Sequence, residues 1–298
     1  MLRKWVIVMN FGKVITAMVT PFNEKNQLDL FRTTELVEYL LENGTDGLVI
    51  AGTTGESPTL SHEEKIQLFE HVVHIVNGRV PVIAGTGSNN TAETIEFTKS
   101  AEAVGVDAAL IVTPYYNKPN QLGLLHHFET VAKNVQLPIM LYNIPGRSVV
   151  KMDASTVIQL AEIDNIVSVK DSTGDLDSIA AIIEATDSNF SVYSGDDSLT
   201  LPLLSIGSKG VVSVASHIIG NDLRTMMDLY KEGEVEKAAA LHRKIVPLVK
   251  ALFMAPSPAP VKAALAYQQM NVGSVRLPLV PLTLEEQQQL ELALKNYE

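Results

Sequence analysis

Eight short apolar runs recur along the chain, and each ends in a polar or glycine-rich turn that precedes a longer stretch with helical spacing. They are VITAMVT (14–20), GLVIAGTTGE (47–56), VPVIAGTG (80–87), AALIVTPYY (108–116), LPIMLYN (137–143), IVSVKDS (166–172), FSVYSGDD (190–197) and GVVSVAS (210–216). Continuous apolar runs are typical of parallel strands that crossover helices cover on both faces. Eight such units match a closed (β/α)8 TIM barrel better than an open doubly wound sheet.

The stretches between and after these runs predict helices. Ser61 and Glu64 have the spacing of a helix-start capping box. After Asn221 no further run of this kind occurs. Three helical stretches follow instead, namely EVEKAAALHRKIVPLVKALF (234–253), PVKAALAYQQM (260–270) and TLEEQQQLELALKN (283–296). The sequence therefore predicts a barrel over residues 1–233 and a C-terminal helical region over residues 234–298.

The composition excludes several kinds of chemistry and partner. The chain has 34 acidic and 23 basic side chains, a formal charge of −11, and no cysteine. An acidic chain has the wrong field for nucleic acid or an anionic membrane surface. Without cysteine, thiol nucleophiles and thiolate metal sites are excluded. His71 and His74 share a helix face but have no third ligand in an adjacent motif, so we predict no metal and no cofactor.

The first residues do not have the pattern of an export signal. Two basic residues precede only five apolar ones, residues 5–9, and the chain contains no apolar run of about 18 residues. We expect a cytoplasmic protein whose translation starts at Met1 or Met9.

Polar side chains follow most of the apolar runs, at the strand ends where barrels of this type place their chemistry. Lys170 is the most informative of them, because it lies in line with valine and isoleucine residues of a predicted strand. Burying a lysine costs several kcal/mol unless it is paired or neutral. Lys170 could extend from the barrel mouth into water or pair with Asp171, and either role would be structural.

Alternatively, Lys170 is a nucleophile. Removal from water favours a neutral amine, which can attack a ketone and form a Schiff base. Tyr142 ends the preceding strand, and its hydroxyl can both accept and donate the protons that this reaction moves. Thr53 and Tyr116 could extend the proton relay, and backbone N–H groups of GTTGE (52–56) could hold a carboxylate. The conjunction of these residues favours the nucleophile.

The sequence resembles the pyruvate-dependent class I aldolases and lyases essentially from end to end. The segments that carry the resemblance are VTPF (19–22), GTTGES (52–57), IAGTG (83–87), TPYYNKP (113–119), YNIPGR (142–147), VKDSTG (169–174), SGDD (194–197), GVVSV (210–214) and RLPLVP (276–281). The resemblance implies a (β/α)8 barrel with a C-terminal helical part. It also implies a homotetramer built from tight dimers.

The same resemblance implies roles for individual residues. Lys170 corresponds to the lysine that forms the Schiff base with pyruvate, and Tyr142 to the proton donor and acceptor. Thr53 and Tyr116 correspond to the proton relay, with Tyr116 contributed by the neighbouring subunit. The positions that bind pyruvate or line its pocket are Thr54, Gly195 and Val212.

Arg147 indicates the second substrate. A guanidinium can bind a carboxylate through two parallel N–H bonds, which suits aspartate semialdehyde. The family's synthase branch, which serves diaminopimelate and lysine biosynthesis, resembles this chain in having arginine there. Asp196 and Asp197 disfavour a phosphosugar aldolase, because carboxylates would repel phosphate near strands seven and eight. The alternatives are N-acetylneuraminate lyase, a 2-keto-3-deoxy sugar acid aldolase, or a catalytically silent barrel that binds a keto acid.

Lysine-sensitive members of the family bind lysine at a dimer interface remote from the Schiff base. The positions of this chain that match them are Ser57, His62, Asn89, Glu93 and Tyr115. Pro58 and Lys65 depart from the pattern, since proline lacks a backbone donor and the Lys65 ammonium would repel a cationic effector. Glu93 could offset part of that repulsion. We therefore predict weak or absent inhibition by lysine.

Overall fold

The computed structural model describes residues 9–297 and contains a closed barrel of eight parallel strands. The strands are β1 (Val14–Ala17), β2 (Gly47–Ile50), β3 (Val82–Gly85), β4 (Ala108–Val112), β5 (Ile139–Asn143), β6 (Ile166–Asp171), β7 (Ser191–Ser194) and β8 (Gly210–Ser213). They pair in chain order, and β8 pairs with β1. The predicted (β/α)8 barrel is confirmed, and each strand lies within one of the eight apolar runs.

Helices cover the outside of the barrel. Within residues 9–297 they are α1 (Leu30–Glu42), α2 (His62–Val76), α3 (Thr91–Ala103), α4 (Gln121–Asn134), α5 (Pro145–Ser148), α6 (Ala154–Leu160), α7 (Leu176–Ala185), α8 (Thr200–Ser205), α9 (Ser216–Lys231), α10 (Val235–Leu252), α11 (Ala259–Tyr267) and α12 (Leu284–Tyr297). None of these helices is long and apolar enough to cross a membrane. The candidate start at Met1 lies outside the described residues.

The predicted capping box begins α2. The Ser61 hydroxyl accepts a hydrogen bond from the Glu64 N–H at 3.2 Å, and the Glu64 carboxylate accepts one from the Ser61 N–H at 3.0 Å. Two N–H groups that the first helical turn leaves without partners are thereby satisfied.

Apolar side chains fill the barrel and close one end of it. Those inside include Ile15, Val49, Ile83, Leu110 and Met140. Phe11 and Tyr193 pack edge to face with ring centroids 6.3 Å apart, and the Tyr193 hydroxyl donates to the Gly12 carbonyl at 3.1 Å. Because these groups close the end where β1 begins, the interior is accessible from the carboxyl ends of the strands.

The C-terminal helices pack against the barrel. Helix α10 lies against α9 and α12, and α11 also contacts α9. Leu248 of α10 and Leu265 of α11 belong to the same continuous core as the outer faces of the strands. Three helices are therefore present where the sequence predicts them, whereas the boundary between residues 233 and 234 stays a prediction.

Candidate active site

Lys170 and Tyr142 lie side by side near the carboxyl ends of neighbouring strands. Tyr142 on β5 is in register with Lys170 on β6. The Lys170 Nζ lies 4.1 Å from the centroid of the Tyr142 ring, and the two residues are 6% and 5% exposed. The amine is thus packed against a hydroxyl-bearing ring and shielded from bulk water.

Asp171 does not neutralise this lysine. Successive strand residues face opposite sides of a sheet, and the Asp171 carboxylate accepts hydrogen bonds from Thr173 and from Asn143. Burial raises the pKa of Asp171, and the Thr173 hydrogen bonds oppose that shift. Within residues 9–297 no carboxylate forms an ion pair with Lys170. Among the described residues Lys170 is therefore buried with no carboxylate partner, which contradicts both structural interpretations.

Gly195 lies against the lysine side chain. Its N–H donates to the Asp171 carbonyl at 2.7 Å, which holds the β7 turn close to β6. A Cβ on Gly195 would stand 2.0 Å from the Ser172 Oγ and 3.0 Å from the Lys170 Cε. Only glycine fits this position without displacing the neighbouring groups. The structure thus places Gly195 against Lys170, whereas its role in binding pyruvate stays a prediction.

The loop after β2 carries Thr53 and Thr54. Its backbone is left-handed at Ala51, with φ 47°, and at Glu56, with φ 55°. The Glu56 N–H donates to the Thr53 carbonyl at 3.1 Å, which closes a tight turn. Gly85 on β3 makes room for this loop, because a Cβ there would lie 2.4 Å from the Ala51 carbonyl oxygen. The glycines of IAGTG therefore serve packing at the strand end.

A cavity of about 590 Å³ extends from the barrel mouth. Thr53, Tyr142 and Arg147 line it, so it joins three of the predicted site residues. Arg147 is exposed on α5 and forms no ion pair within the described part of the chain, which leaves its guanidinium available to a ligand. Lys170, Thr54, Gly195 and Val212 are not lining residues; Lys170, Thr54 and Val212 are buried and Gly195 is half-buried.

The same cavity extends to the positions that match the site where lysine-sensitive members of the family bind lysine. It is lined there by Ser57, Pro58, His62, Lys65, Glu93 and Tyr115. The Lys65 Nζ lies 5.2 Å from the centroid of the Phe97 ring, and burial lowers the pKa of this amine. Asn89 is not a lining residue, although its carbonyl accepts a hydrogen bond from Asn117.

Tyr116 is exposed and lies outside the cavity lining of its own chain. It is 89% exposed, does not line the cavity, and has left-handed backbone with φ 72°. The structure therefore does not bring Tyr116 together with Tyr142 and Thr53 within one chain.

Asp197 is buried between β7 and β8. Its carboxylate accepts hydrogen bonds from the Ser213 hydroxyl and from the N–H groups of Val214 and Ala215, both at 3.1 Å. Burial raises the pKa of Asp197, and these hydrogen bonds oppose the shift. The donors that follow the last strand are already satisfied by this carboxylate, so the region that holds phosphate in many (β/α)8 barrels is occupied from within the chain.

Two buried contacts near the barrel mouth were not predicted from the sequence. A buried ion pair joins Glu56 after β2 to Lys262 on α11, with 2.6 Å between the charged atoms. His217 accepts a hydrogen bond from the Val19 N–H at 3.1 Å and donates to the Val214 carbonyl at 2.8 Å, so it ties β1 to β8. The partners in both contacts are far apart in sequence and belong to no short motif.

The fold and the site define a class of protein. A buried lysine beside a tyrosine at the carboxyl ends of barrel strands is suited to Schiff-base chemistry of the class I aldolase type. The model of the dihydrodipicolinate synthetase family matches residues 10–297. The chain belongs to this family.

Named relatives and solved structures agree with that assignment. The chain is 62% identical to 4-hydroxy-tetrahydrodipicolinate synthase 1 of Halalkalibacterium halodurans, over 96% of this chain and 97% of that protein. It is similar to a dihydrodipicolinate synthase structure from Bacillus anthracis, with a TM-score of 0.95, 54% identity, and coverage of 96% and 98%. A Cyanidioschyzon merolae enzyme with lysine bound has a TM-score of 0.95 and 47% identity, with coverage of 96% and 98%.

Proposed function

We propose that the chain condenses pyruvate with aspartate semialdehyde to 4-hydroxy-tetrahydrodipicolinate, a step of diaminopimelate and lysine biosynthesis. It is an enzyme of the lyase class, as its named relatives indicate. The observation that carries the mechanism is the buried amine of Lys170 beside Tyr142, with which no carboxylate of residues 9–297 forms an ion pair. Arg147 lines the cavity and favours the semialdehyde over sugar acids, because its guanidinium can bind the free carboxylate of the semialdehyde through two N–H groups.

The first half of the reaction takes place at Lys170. Its Nζ attacks the keto carbon of pyruvate, and a proton moves from nitrogen to oxygen to give a carbinolamine. Protonation of that hydroxyl releases water and leaves the Schiff base. Tyr142 is placed to donate and accept these protons, and Thr53 lines the same cavity. The lysine itself forms the covalent intermediate, so the reaction needs no cofactor.

The second half forms a carbon–carbon bond. Loss of a proton from the pyruvate methyl group gives an enamine, whose carbon attacks the aldehyde carbon of the semialdehyde. The aldehyde oxygen takes up a proton and becomes a hydroxyl. The amino group of the semialdehyde then attacks the imine carbon, displaces the Lys170 nitrogen and closes the ring. Arg147 orients the incoming substrate through its carboxylate.

The pyruvate carboxylate is assigned to the β2 loop. Thr54 is buried there beside Thr53, and the turn leaves N–H groups near the barrel mouth. Val212 on β8 is fully buried inside the barrel, where it can pack against the methyl group of pyruvate. Gly195 allows the close approach of β7 to the lysine.

The assembly is proposed to be a homotetramer of tight dimers in the cytoplasm. Tyr116 supports a shared site, because an 89% exposed tyrosine next to the cavity mouth can reach into a neighbouring copy. Its hydroxyl would then complete the proton relay through Thr53 and Tyr142 of that copy.

Borohydride trapping tests the central step. Pyruvate with borohydride is expected to inactivate the protein and to add one reduced pyruvate per chain, on the peptide that contains Lys170. The Lys170→Ala variant serves as the control and is expected to take up no label. Label on another lysine, or none on the native chain, would contradict the proposed mechanism.

A further inference from the structure

A buried ion pair links the C-terminal helical region to the loop that carries Thr53 and Thr54. Glu56 ends this loop, and its side chain is 0% exposed, while that of Lys262 on α11 is 3% exposed. Their charged atoms are 2.6 Å apart. The Lys262 Nζ also donates to the Ser274 carbonyl at 2.9 Å, so the amine is fixed from two sides.

Phe22, in the segment after β1, lies between two cations from the C-terminal region. The Lys262 Nζ is 4.3 Å from the ring centroid, and the Arg276 guanidinium carbon is 4.1 Å from it. The Phe22 N–H donates to the Val272 carbonyl at 3.0 Å. Gly273 permits this approach, since a Cβ there would stand 1.9 Å from the Phe22 carbonyl oxygen.

Arg276 extends the contact to the start of α2. Its backbone N–H donates to Glu56 at 2.8 Å, and its guanidinium binds both oxygens of Glu64, at 2.8 and 2.6 Å. A further N–H of the guanidinium donates to the Thr59 carbonyl at 2.8 Å. The β2 loop is therefore held at both Glu56 and Thr59 by groups that the C-terminal region supplies.

Stability alone does not account for this arrangement. A buried ion pair gains little over well-packed apolar side chains, because the desolvation of both charges offsets their attraction. The hydrogen bonds from Lys262 to the Ser274 carbonyl and from the Arg276 N–H to Glu56, however, fix the distance between the two segments more sharply than apolar packing does, because charge-assisted hydrogen bonds are directional. Glu56 is two residues after Thr54, so a displacement of its carboxylate moves the turn of Thr53 and Thr54.

We propose that Glu56 and Lys262 are positioning residues for pyruvate. Through this ion pair, the C-terminal region holds the β2 loop in the position where the loop binds the carboxylate of the substrate. This inference rests on the proposed function, because it takes the β2 loop as the carboxylate site. It gives the C-terminal helices a role in substrate binding through the β2 loop.

The test uses the pyruvate concentration that gives half-maximal borohydride trapping. In Lys262→Met this concentration is expected to rise at least about tenfold, while saturating pyruvate still labels Lys170. The double variant Glu56→Gln with Lys262→Met removes both charges. The double variant is expected to be more thermally stable than Lys262→Met, because no charge stays buried without a partner. Its half-saturating pyruvate concentration is expected to remain raised. Tyr297→Phe is the matched control, because the Tyr297 hydroxyl ties α12 to Asp222 at 2.7 Å, away from this loop.

The outcomes separate this inference from the proposed function. If folded Lys262→Met is half-saturated at the native pyruvate concentration, the positioning role is overturned and the proposed function stands. The same holds if the double variant recovers both native stability and the native half-saturating concentration. Failure to trap pyruvate in the native protein would overturn both. If the charge-removing variants do not fold, Glu56→Asp shortens the carboxylate while keeping the pair. An unchanged pyruvate requirement in that variant would equally overturn the inference.

Discussion

The Lys170 amine and the Tyr142 ring share one register position on β6 and β5, 4.1 Å apart. Pairing across parallel strands sets this relationship, so neither residue depends on a flexible loop for its placement. An amine and a phenol presented by two neighbouring strands of a closed barrel keep their separation while substrates change.

Removal of the Tyr142 hydroxyl tests its role as a proton carrier. Tyr142→Phe is expected to lower kcat by about 10² to 10⁴, because general acid–base catalysis contributes that much. Steady-state kinetics would measure the loss, and trapping on Lys170 should persist at a lower rate. Tyr193→Phe is the control, since that hydroxyl donates to Gly12 at the other end of the barrel. An equal loss of kcat in both variants would point to a packing effect.

A side chain on Gly195 should displace the lysine. Gly195→Ala places a Cβ 2.0 Å from the Ser172 Oγ and 3.0 Å from the Lys170 Cε, so trapping is expected to fall sharply in a folded protein. Adding Ser172→Ala removes the closer contact and should restore part of the labelling. Gly146→Ala, where a Cβ would meet no atom within 4 Å, is expected to have little effect. Full labelling of Gly195→Ala would show that the lysine tolerates displacement.

Loss of the Arg147 guanidinium should separate the two substrates. Arg147→Ala is expected to leave pyruvate trapping intact while lowering kcat/KM for aspartate semialdehyde by roughly 10- to 150-fold. This range corresponds to a lost charge-assisted contact of about 1.5 to 3 kcal/mol. Arg243→Ala on α10, also exposed, is the matched control. If native enzyme turns over sugar acids faster than the semialdehyde, the substrate assignment is wrong.

Two buried histidines should make the fold sensitive to acid. Burial lowers the pKa of His127 and of His217 to about 4, whereas an unfolded histidine titrates near about 6.5. Between these values the unfolded state binds more protons, so the free energy of unfolding falls as pH falls from 6.5 to 4. Asp171 and Asp197 act oppositely, because burial raises the pKa of each carboxyl.

Denaturant unfolding at pH 7 and pH 4.5 would measure this effect. His127→Gln removes one titrating group and should reduce the acid-induced loss of stability between these two pH values by up to about 2 kcal/mol. The difference between the native protein and this variant cancels the contribution of the carboxyls. An identical pH dependence in both proteins would show that His127 does not contribute.

Inhibition by lysine is expected to be weak. Pro58 and Lys65 line the part of the cavity that corresponds to the family's lysine site, and the Lys65 amine would repel a cationic effector. Initial rates titrated with lysine should show no half-inhibition well below millimolar concentration. Lys65→Ala is expected to increase sensitivity, because it removes the repulsion while Glu93 remains. Strong inhibition of the native enzyme would contradict this prediction.

The sequence predicted the barrel and singled out Lys170 at its carboxyl-terminal end. It did not predict the tertiary contacts that hold the surrounding loops in place. The eight strands follow from local apolar runs, and Lys170 was recognisable because a charged residue interrupts such a run. The resemblance to the aldolase family added Gly195, which lies against the lysine in the structure, while its part in the pyruvate pocket stays a prediction.

The supporting contacts depend on tertiary structure. The pairing of Glu56 with Lys262 joins the second strand's loop to the eleventh helix, and no periodicity or spacing connects two such distant segments. His217 likewise sits in an ordinary helical start, and its burial between β1 and β8 arises only when the barrel closes. The exposure of Tyr116 could be anticipated only from the family's subunit arrangement.

The Asp197 carboxylate occupies the place after β8 where many (β/α)8 barrels bind a phosphate group. This carboxylate takes the N–H groups of Val214 and Ala215, so a phosphorylated metabolite that entered the mouth would find no free donors at this place. Because both N–H groups are engaged as soon as the chain folds, neither is available to a phosphate group.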